Sequence, residues 1–401
     1  MKHMRIVPSI VAICAFATAA AAVAPHVENG AQPRDGVVDY RLEEVWRVGG
    51  PDDEENLFGV IAQVLTDEND NIYLLDQQLS EITVLSPEGE RLGTLSREGD
   101  GPGETRRPND MFFLPDGSIG LIQIFPGKIV LIDREGNPGG TFPLKSEDPN
   151  AGAGFSVLIR GKSAGGNIVL VGIDQSFSTG LLDQTYFLRG YTPEGEITAK
   201  YVIKTAQQNF ADMVLDEIGV DFVWARWDLA DDGSVVVAPH RNRYLLEVRD
   251  ADGELRRTFS RPYEPLPRDE SDTTRAFSLL EAQGRNYPVM PRITAADVEP
   301  DISAVQVQDD GPIWVTTSRG TRNQPEGVMA TFDIFDAEGV YVNRVRMHAE
   351  ADGMNDLLYF VDGERAVLVR NFLNTFLSSV GVETEDADAD MMEVIGCRIA
   401  R

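Results

Sequence analysis

Cysteine is nearly absent from this 401-residue chain, which has only Cys14 and Cys397. Cys14 falls in the leading segment discussed below, so the remaining chain has no second thiol and no intrachain disulfide framework. Lysine is scarce too: the chain has 36 basic residues, only six of them lysines, against 65 acidic ones, a net charge of −29. A surface this acidic repels phosphate backbones and anionic lipid, which argues against nucleic acid and membrane surfaces as partners. Of the four histidines, only His240 and His348 fall in the main body, too few for a zinc site built on imidazoles. A Ser-His-Asp arrangement would have to use one of those two, and no G-x-S-x-G elbow accompanies them. Beyond the first two dozen residues no apolar run is long enough to span a bilayer.

The chain opens with a basic "MKHMR" and the apolar "IVPSIVAICAFATAAAAVA", with small residues crowding its end. That order predicts a signal peptide over 1–24 and a mature protein in the periplasm or outside the cell. Cys14 follows Ile13, where lipoprotein attachment requires a small residue, so lipid anchoring is not expected. Residues 25–38 read as a linker and 39–401 as one repetitive domain.

Glycine and proline are plentiful, at 37 and 22 residues, and they punctuate a recurring pattern. Six times a turn with Asp, Asn or Gly leads into an apolar run: "NDNIYLLD" (69–76), "PDGSIGLI" (115–122), "AGGNIVLV" (164–171), "DDGSVVVA" (231–238), "DDGPIWVT" (309–316) and "VDGERAVLV" (361–369). Five of these are followed by a second strand and turn, as in "VLSPEGERLGTL" and "VRDADGELRRTF". Pro or Asp with a Gly two residues on suits a type I turn closed by a left-handed residue. Two strands fit between the paired turns, so each unit reads as a four-stranded antiparallel meander. Runs such as "IYLLD", apolar on both faces, belong to sheets sandwiched between others. The expected fold is all-β, a β-propeller of six blades. The sixth unit lacks a fourth strand, and "DYRLEEVWRVGG" (39–50) supplies one, closing the ring and removing its open edges.

The stretch "NIYLLDQQLSEITVLSPEGERLGTLSREGDGPGETRRPNDMFFLPDG" resembles the NHL-repeat family of six-bladed propellers found in many secreted bacterial proteins. The likeness is close over the first two units, recognisable in the fourth and fifth, and weak in the third and sixth. It implies a fold, with no single activity attached. Within it, "GDGPGETRRPND" (99–110) reads as the link between two blades rather than a phosphate loop. A proline and a strand follow it in place of a helix, and acids crowd it.

The remaining candidates for chemistry are few. "DADAD" (386–390) starts like a calcium loop but has Met391 and Cys397 where the sixth-position Gly and twelfth-position Glu belong, which makes it a solvated acidic loop. No resident cofactor is expected, although carboxylates around a channel leave a divalent cation such as calcium open. Trp224 and Trp227 read as opposite faces of one strand, Trp314 as core. The turns at one end of the blades are tight, and the long insertions (172–184, 205–221, 261–301, 317–327 and 371–390) fall at the other. The 261–301 insertion predicts a helix capped by Ser271 or Asp272 and stopped at Gly284. Long loops gathered on one face of a rigid scaffold are where function usually resides. That face also gathers Arg106, Arg107, His240, Arg241, Arg319, Arg322 and Arg370, which either converge on an anion or pair with local acids such as Glu326 and Asp386. The expected function is a monomeric binding module for a protein or glycan through this face. The alternatives are a hydrolase or lyase using a divalent cation at the channel mouth, and a structural module of a surface assembly.

Overall fold

Asp70, Gly89, Gly117, Gly136, Gly233 and Gly253 all have positive φ, between 64° and 88°. These are the left-handed turn positions that the paired-turn pattern requires. The strands between them form the sheets of the computed structural model, which describes residues 24–51, 53, 55–145, 154–285, 287, 289–308, 311–382 and 391–401. The leading segment and "DADAD" lie outside the described residues. So does Asp386.

The first sheet is the meander Ile61–Thr66, Ile72–Asp76, Glu81–Leu85 and Arg91–Leu95. The second comprises Pro108–Phe113, Ile119–Gln123, Lys128–Ile132 and Pro138–Thr141. The third comprises Gly154–Ala164, Asn167–Ser178, Leu181–Tyr191 and Ile197–Asn209. The fourth comprises Trp227–Leu229, Val235–Val237, Leu245–Arg249 and Leu255–Ser260, with His26–Glu28 added in parallel along Thr258–Ser260. Val214–Asp216 and Arg292–Thr294 pair in parallel as a small two-stranded sheet, and the remaining described strands form one eight-stranded sheet. It consists of two four-stranded antiparallel runs. One is Ile302–Val307, Ile313–Thr317, Val328–Phe335 and Tyr341–His348. The other is Leu357–Phe360, Arg365–Arg370, Glu393–Ala400 and Val37–Gly49.

This departs from six separate sheets, and the cause is one long strand. Val37–Gly49 has 13 residues and its partner Glu393–Ala400 has eight. From Arg41 to Gly49 the long strand runs antiparallel to that partner; its first four residues continue past it, and with Arg41 they pair in parallel with Arg344–His348. The N-terminal strand therefore completes the last meander, as expected, and also sews it to the preceding one.

The arrangement is propeller-like because each sheet packs face to face on the next. Tyr73 and Leu75 of the first sheet meet Met111 and Leu121 of the second. Phe112 and Ile122 then meet Leu158 and Leu170 of the third, and Tyr186 and Leu188 meet Trp227 and Val235 of the fourth. Leu246 and Phe259 meet Val305 and Phe335, and Phe332 and Val345 meet Leu368 and Ile395. Finally Val367, Val394 and Val48 return to Ile61 and Leu74 of the first sheet. Each such side chain stabilises the fold by about 1.5–3 kcal/mol on burial. Alternate residues of one strand thus enter different clusters, which explains "IYLLD".

The third sheet is the exception in size. Its strands run 11–13 residues where those of the first run five or six. The polar–apolar alternation of "DQSFSTGLLDQTYF" continues the hairpin through 172–184, a segment expected as loop. At about 3.3 Å per residue, the extra six or so residues project about 20 Å beyond the neighbouring sheets. Among the described residues four α-helices sit in the long connections: α1 (Glu217–Val220), α2 (Glu270–Gly284), α3 (Ser318–Thr321) and α4 (Phe372–Ser379). The cap of α2 is Asp269, upstream of the residues expected, because its carboxylate accepts the Asp272 N–H.

Candidate functional site

The axis is lined by the first strand of each meander, and these are stapled side by side through polar groups. Asp110 accepts the Gln63 amide at 2.6 Å from the first sheet and the Gly161 N–H at 2.8 Å from the third. Asp228 accepts the Lys162 ammonium at 2.5 Å on one side and the Val307 N–H at 3.0 Å on the other. The Tyr359 hydroxyl donates to the Ala62 carbonyl at 3.0 Å, joining the last run to the first sheet. Burial pushes the Asp110 carboxyl up to about 6, against the opposing influence of the Arg160 guanidinium and its hydrogen bonds. Both oxygens of Asp110 already have donors, so it reads first as a joint of the scaffold.

Asp110 ends the 99–110 stretch, which is indeed a link between two sheets. Inside it the Glu104 carboxylate accepts the Gly101 N–H at 2.8 Å and bonds Arg97. An acid of the protein occupies the place where a phosphate loop would hold its anion.

On the long-loop face the expected arginines meet different fates. Arg241 and Arg322 enter a continuous ion-pair chain in which guanidinium and carboxylate alternate. Arg226 holds Asp221 at 2.7 Å, and Arg241 stands 3.6 Å from Asp221 and 2.9 Å from Glu217. Arg268 then bridges Glu217 (2.5 Å) and Glu299 (2.9 Å), and Arg322 bridges Glu299 (2.7 Å) and Asp272 (2.8 Å). Burial alone would raise the Glu217 pKa, but the bonds from Arg268 and the Ala296 N–H, with Arg241 nearby, hold it below the ordinary value. The chain ties the fourth sheet, α1, α2 and α3's connection together across the face. Arg226 and Arg268 are its most buried cations and were missed in the sequence: Arg226 pairs locally with Asp221, while Arg268 reaches Glu217 on a different insertion.

The other expected residues stay separate. Arg106 is exposed and holds Asp100 at 2.7 Å. Arg319 donates to the Glu264 and Pro265 carbonyls. Arg370 stands 3.9 Å from Asp356 and 3.7 Å from Glu393. Arg107 and His240 are exposed, and neither makes an ion pair among the described residues. Beside Arg322 a polar cleft of about 520 Å³ opens between the start of α2, the 321–324 turn and 351–354.

Exposed apolar side chains mark the same face. Fifteen large hydrophobic residues are exposed among those described. Five, Val37, Val45, Leu92, Ile203 and Leu255, lie on the fourth strands of the meanders. The other ten, among them Leu57, Leu79, Phe125, Phe177, Ile218 and Met290, lie in or beside the long-loop connections. None falls in the tight turns. At the tip of the projecting third sheet, Phe125, Phe155, Phe177 and Phe210 form a row with ring centroids 5.2, 5.8 and 5.8 Å apart. No local pattern in the sequence joins these four, which come from four separate connections or strand ends.

Trp224 and Trp227 do not oppose each other. Trp227 opens the strand, Trp224 precedes it, and both pack into the cluster between the third and fourth sheets. Cys397 is buried, with burial pushing its thiol up to about 12, as expected of a small core residue. Among the described residues no three of His, Cys, Asp and Glu come together as a metal-holding group, and no helix is long and apolar enough to cross a membrane.

No family model matches the chain, and no curated protein does. Solved structures do resemble it. A candidate exported protein of Bacteroides fragilis superposes with a TM-score of 0.48 at 10% identity, over 94% of this chain and 100% of that one. Regucalcin, a calcium-binding protein of Agrobacterium tumefaciens, gives 0.43 at 10% identity over 90% and 96%. The PQQ-bound aldose sugar dehydrogenase of Streptomyces coelicolor gives 0.45 at 12% over 90% and 98%. Likenesses this distant assign no activity to this chain.

Proposed function

We propose that the protein is an exported, NHL-like six-bladed propeller that binds a protein partner through its long-loop face. The six-blade count treats the eight-stranded sheet as two blades joined by the Val37–Arg41 seam, and the six inter-sheet clusters support it. Export rests on the 1–24 pattern. The observation that carries the binding role is the placement of exposed apolar side chains: ten on the long-loop face and none in the tight turns, among the described residues. Phe125 and Phe177 belong to the row of four contacting rings, and an exposed apolar cluster of this kind marks an interaction site. Arg107, His240 and Arg319 stand exposed on the same face, ready to meet acidic groups of the partner. A glycan with carboxylate or sulfate groups is the alternative occupant for those basic side chains. The channel-mouth hydrolase or lyase stays as a rival because Asp110, with its raised pKa, sits beside Arg160 on the axis.

The test compares wild type with Phe125→Ser/Phe177→Ser and with a tight-turn control, Glu88→Ser. Each is immobilised and exposed to the native extracellular fraction. The reading requires a partner retained by wild type and the control and lost at least tenfold by the double variant. Equal retention by all three refutes it.

A further inference from the structure

The seam between the two halves of the eight-stranded sheet does more than close the ring. Because Val37–Arg41 pairs directly with Arg344–His348, the outer strands of the two runs are joined, and the gap between their inner faces has a roof. Beneath it lies a cavity of about 250 Å³ at the tight-turn end, away from the long-loop face. Its walls include Tyr40, Trp314 and Phe360, with Val342, Val345 and Ile399 among the other apolar side chains, and the uncharged amides Gln308 and Asn343. The Trp314 ring centroid is 4.6 Å from that of Phe360 and 6.3 Å from that of Tyr40.

We propose that this cavity is a binding site for a small, uncharged, planar ring carrying a hydrogen-bond acceptor. Size comes first: at about 30 Å³ per water the space equals roughly eight waters, which suits one six-membered ring and a short substituent. Chemistry follows from the walls. Three aromatic side chains favour a flat π-system, by edge or offset contact. The indole N–H of Trp314 and the hydroxyl of Tyr40 make no hydrogen bond among the described residues, and since neither is fully buried both stay open to an incoming acceptor. Trp46, by contrast, donates its N–H to the Pro87 carbonyl at 3.0 Å. An acceptor on the ligand would satisfy the two free donors.

Charge is settled at the mouth. Asp336 and Asp362 stand there with Arg401. The acids are already engaged: Asp336 accepts the Val340 N–H, and Asp362 accepts the Arg365 N–H and guanidinium. Arg401 bonds the Gly363 carbonyl and lies over the Tyr40 ring at 5.5 Å. An anion would meet two carboxylates on entry and no free cation inside. A cation would meet carboxylates at the mouth that already hold other donors, and would lose water against the largely apolar ring walls. A neutral ligand meets neither cost.

Benzamide and benzoate test this, because they share a ring and differ in charge. Calorimetric titration of the full chain should show saturable benzamide binding with Kd roughly millimolar or tighter, and benzoate at least tenfold weaker. Trp314→Phe, which keeps the ring and removes the donor, should weaken benzamide roughly tenfold. Val342→Phe, which fills the space, should abolish binding, and both variants are first checked for a wild-type melting temperature. A variant that melts early is set aside and judged by the other. Absence of saturable benzamide binding to wild type overturns the proposal. So does equal binding of benzoate, or unchanged binding in a folded Val342→Phe.

Discussion

The Trp46 indole covers Gly396 so closely that a Cβ on the glycine would come within 2.0 Å of the ring. The two face each other across the junction of the chain's first long strand and its last. Trp46 also reaches the first sheet, donating to the Pro87 carbonyl at 3.0 Å and crowding Gly89. One side chain thus touches the N-terminal strand, the C-terminal strand and the neighbouring sheet at the point where the ring closes.

Gly396→Ala should therefore destabilise the protein by roughly 1–3 kcal/mol, since the indole must move and cannot do so without losing its bond to Pro87. Chemical denaturation measures this. A change below about 0.5 kcal/mol would mean that Trp46 is not held in place.

Deleting residues 38–49 removes the fourth strand of the last run and the seam to the preceding one together. The expected outcome is loss of a cooperative melt, because two sheet edges are left open. A truncated protein that melts within a degree or two of the intact one contradicts closure by this strand.

Asp110→Ala leaves the Gln63 amide and Gly161 N–H without acceptors and Arg160 without a nearby countercharge. The expected cost is about 3 kcal/mol at pH 7. The pH dependence separates the charge from the bonds. The folded pKa of about 6 lies above the ordinary value of 3.8. Its stabilising contribution is therefore complete below about pH 4 and is lost as pH rises through 6. Relative to Asp110→Asn, wild type should gain up to ~3 kcal/mol between pH 7 and pH 4. Parallel stability profiles for the two proteins would rule out a buried, titrating Asp110.

Arg268→Ala removes the cation that bridges Glu217 and Glu299. With side-chain exposures of 14% and 7%, those carboxylates cannot be fully rehydrated. A loss of about 3 kcal/mol or more is expected by denaturation. Arg106→Ala, which breaks an exposed, solvent-screened pair, should cost far less. Equal costs would show the ion-pair chain to be no stronger than a surface contact.

These contrasts trace what the sequence could and could not reveal. Paired turns and two-faced strands are local signals, so the meanders, their turn glycines and the role of residues 39–50 were legible. The parallel seam was not, because strand length alone does not say which neighbour an overhang will join. Loop-face arginines were legible as a set, yet their partners were not: Glu217 meets Arg268 and Glu299 only after two insertions fold together. Likewise Phe125, Phe155, Phe177 and Phe210 span 86 positions and form a row only because the third sheet projects. The cavity beneath the seam depends on the overhang of Val37–Arg41 and has no sequence signature of its own.

The central claim is that the long-loop face carries the binding function, and hydrogen exchange on the protein with and without its captured partner tests it most directly. The account predicts slowed exchange in 55–60, 77–80, 124–127, 174–184 and 210–224, with the turns at 67–71, 86–90, 115–118 and 231–234 unchanged. Protection confined to those tight turns, with the long-loop segments exchanging as before, would contradict it.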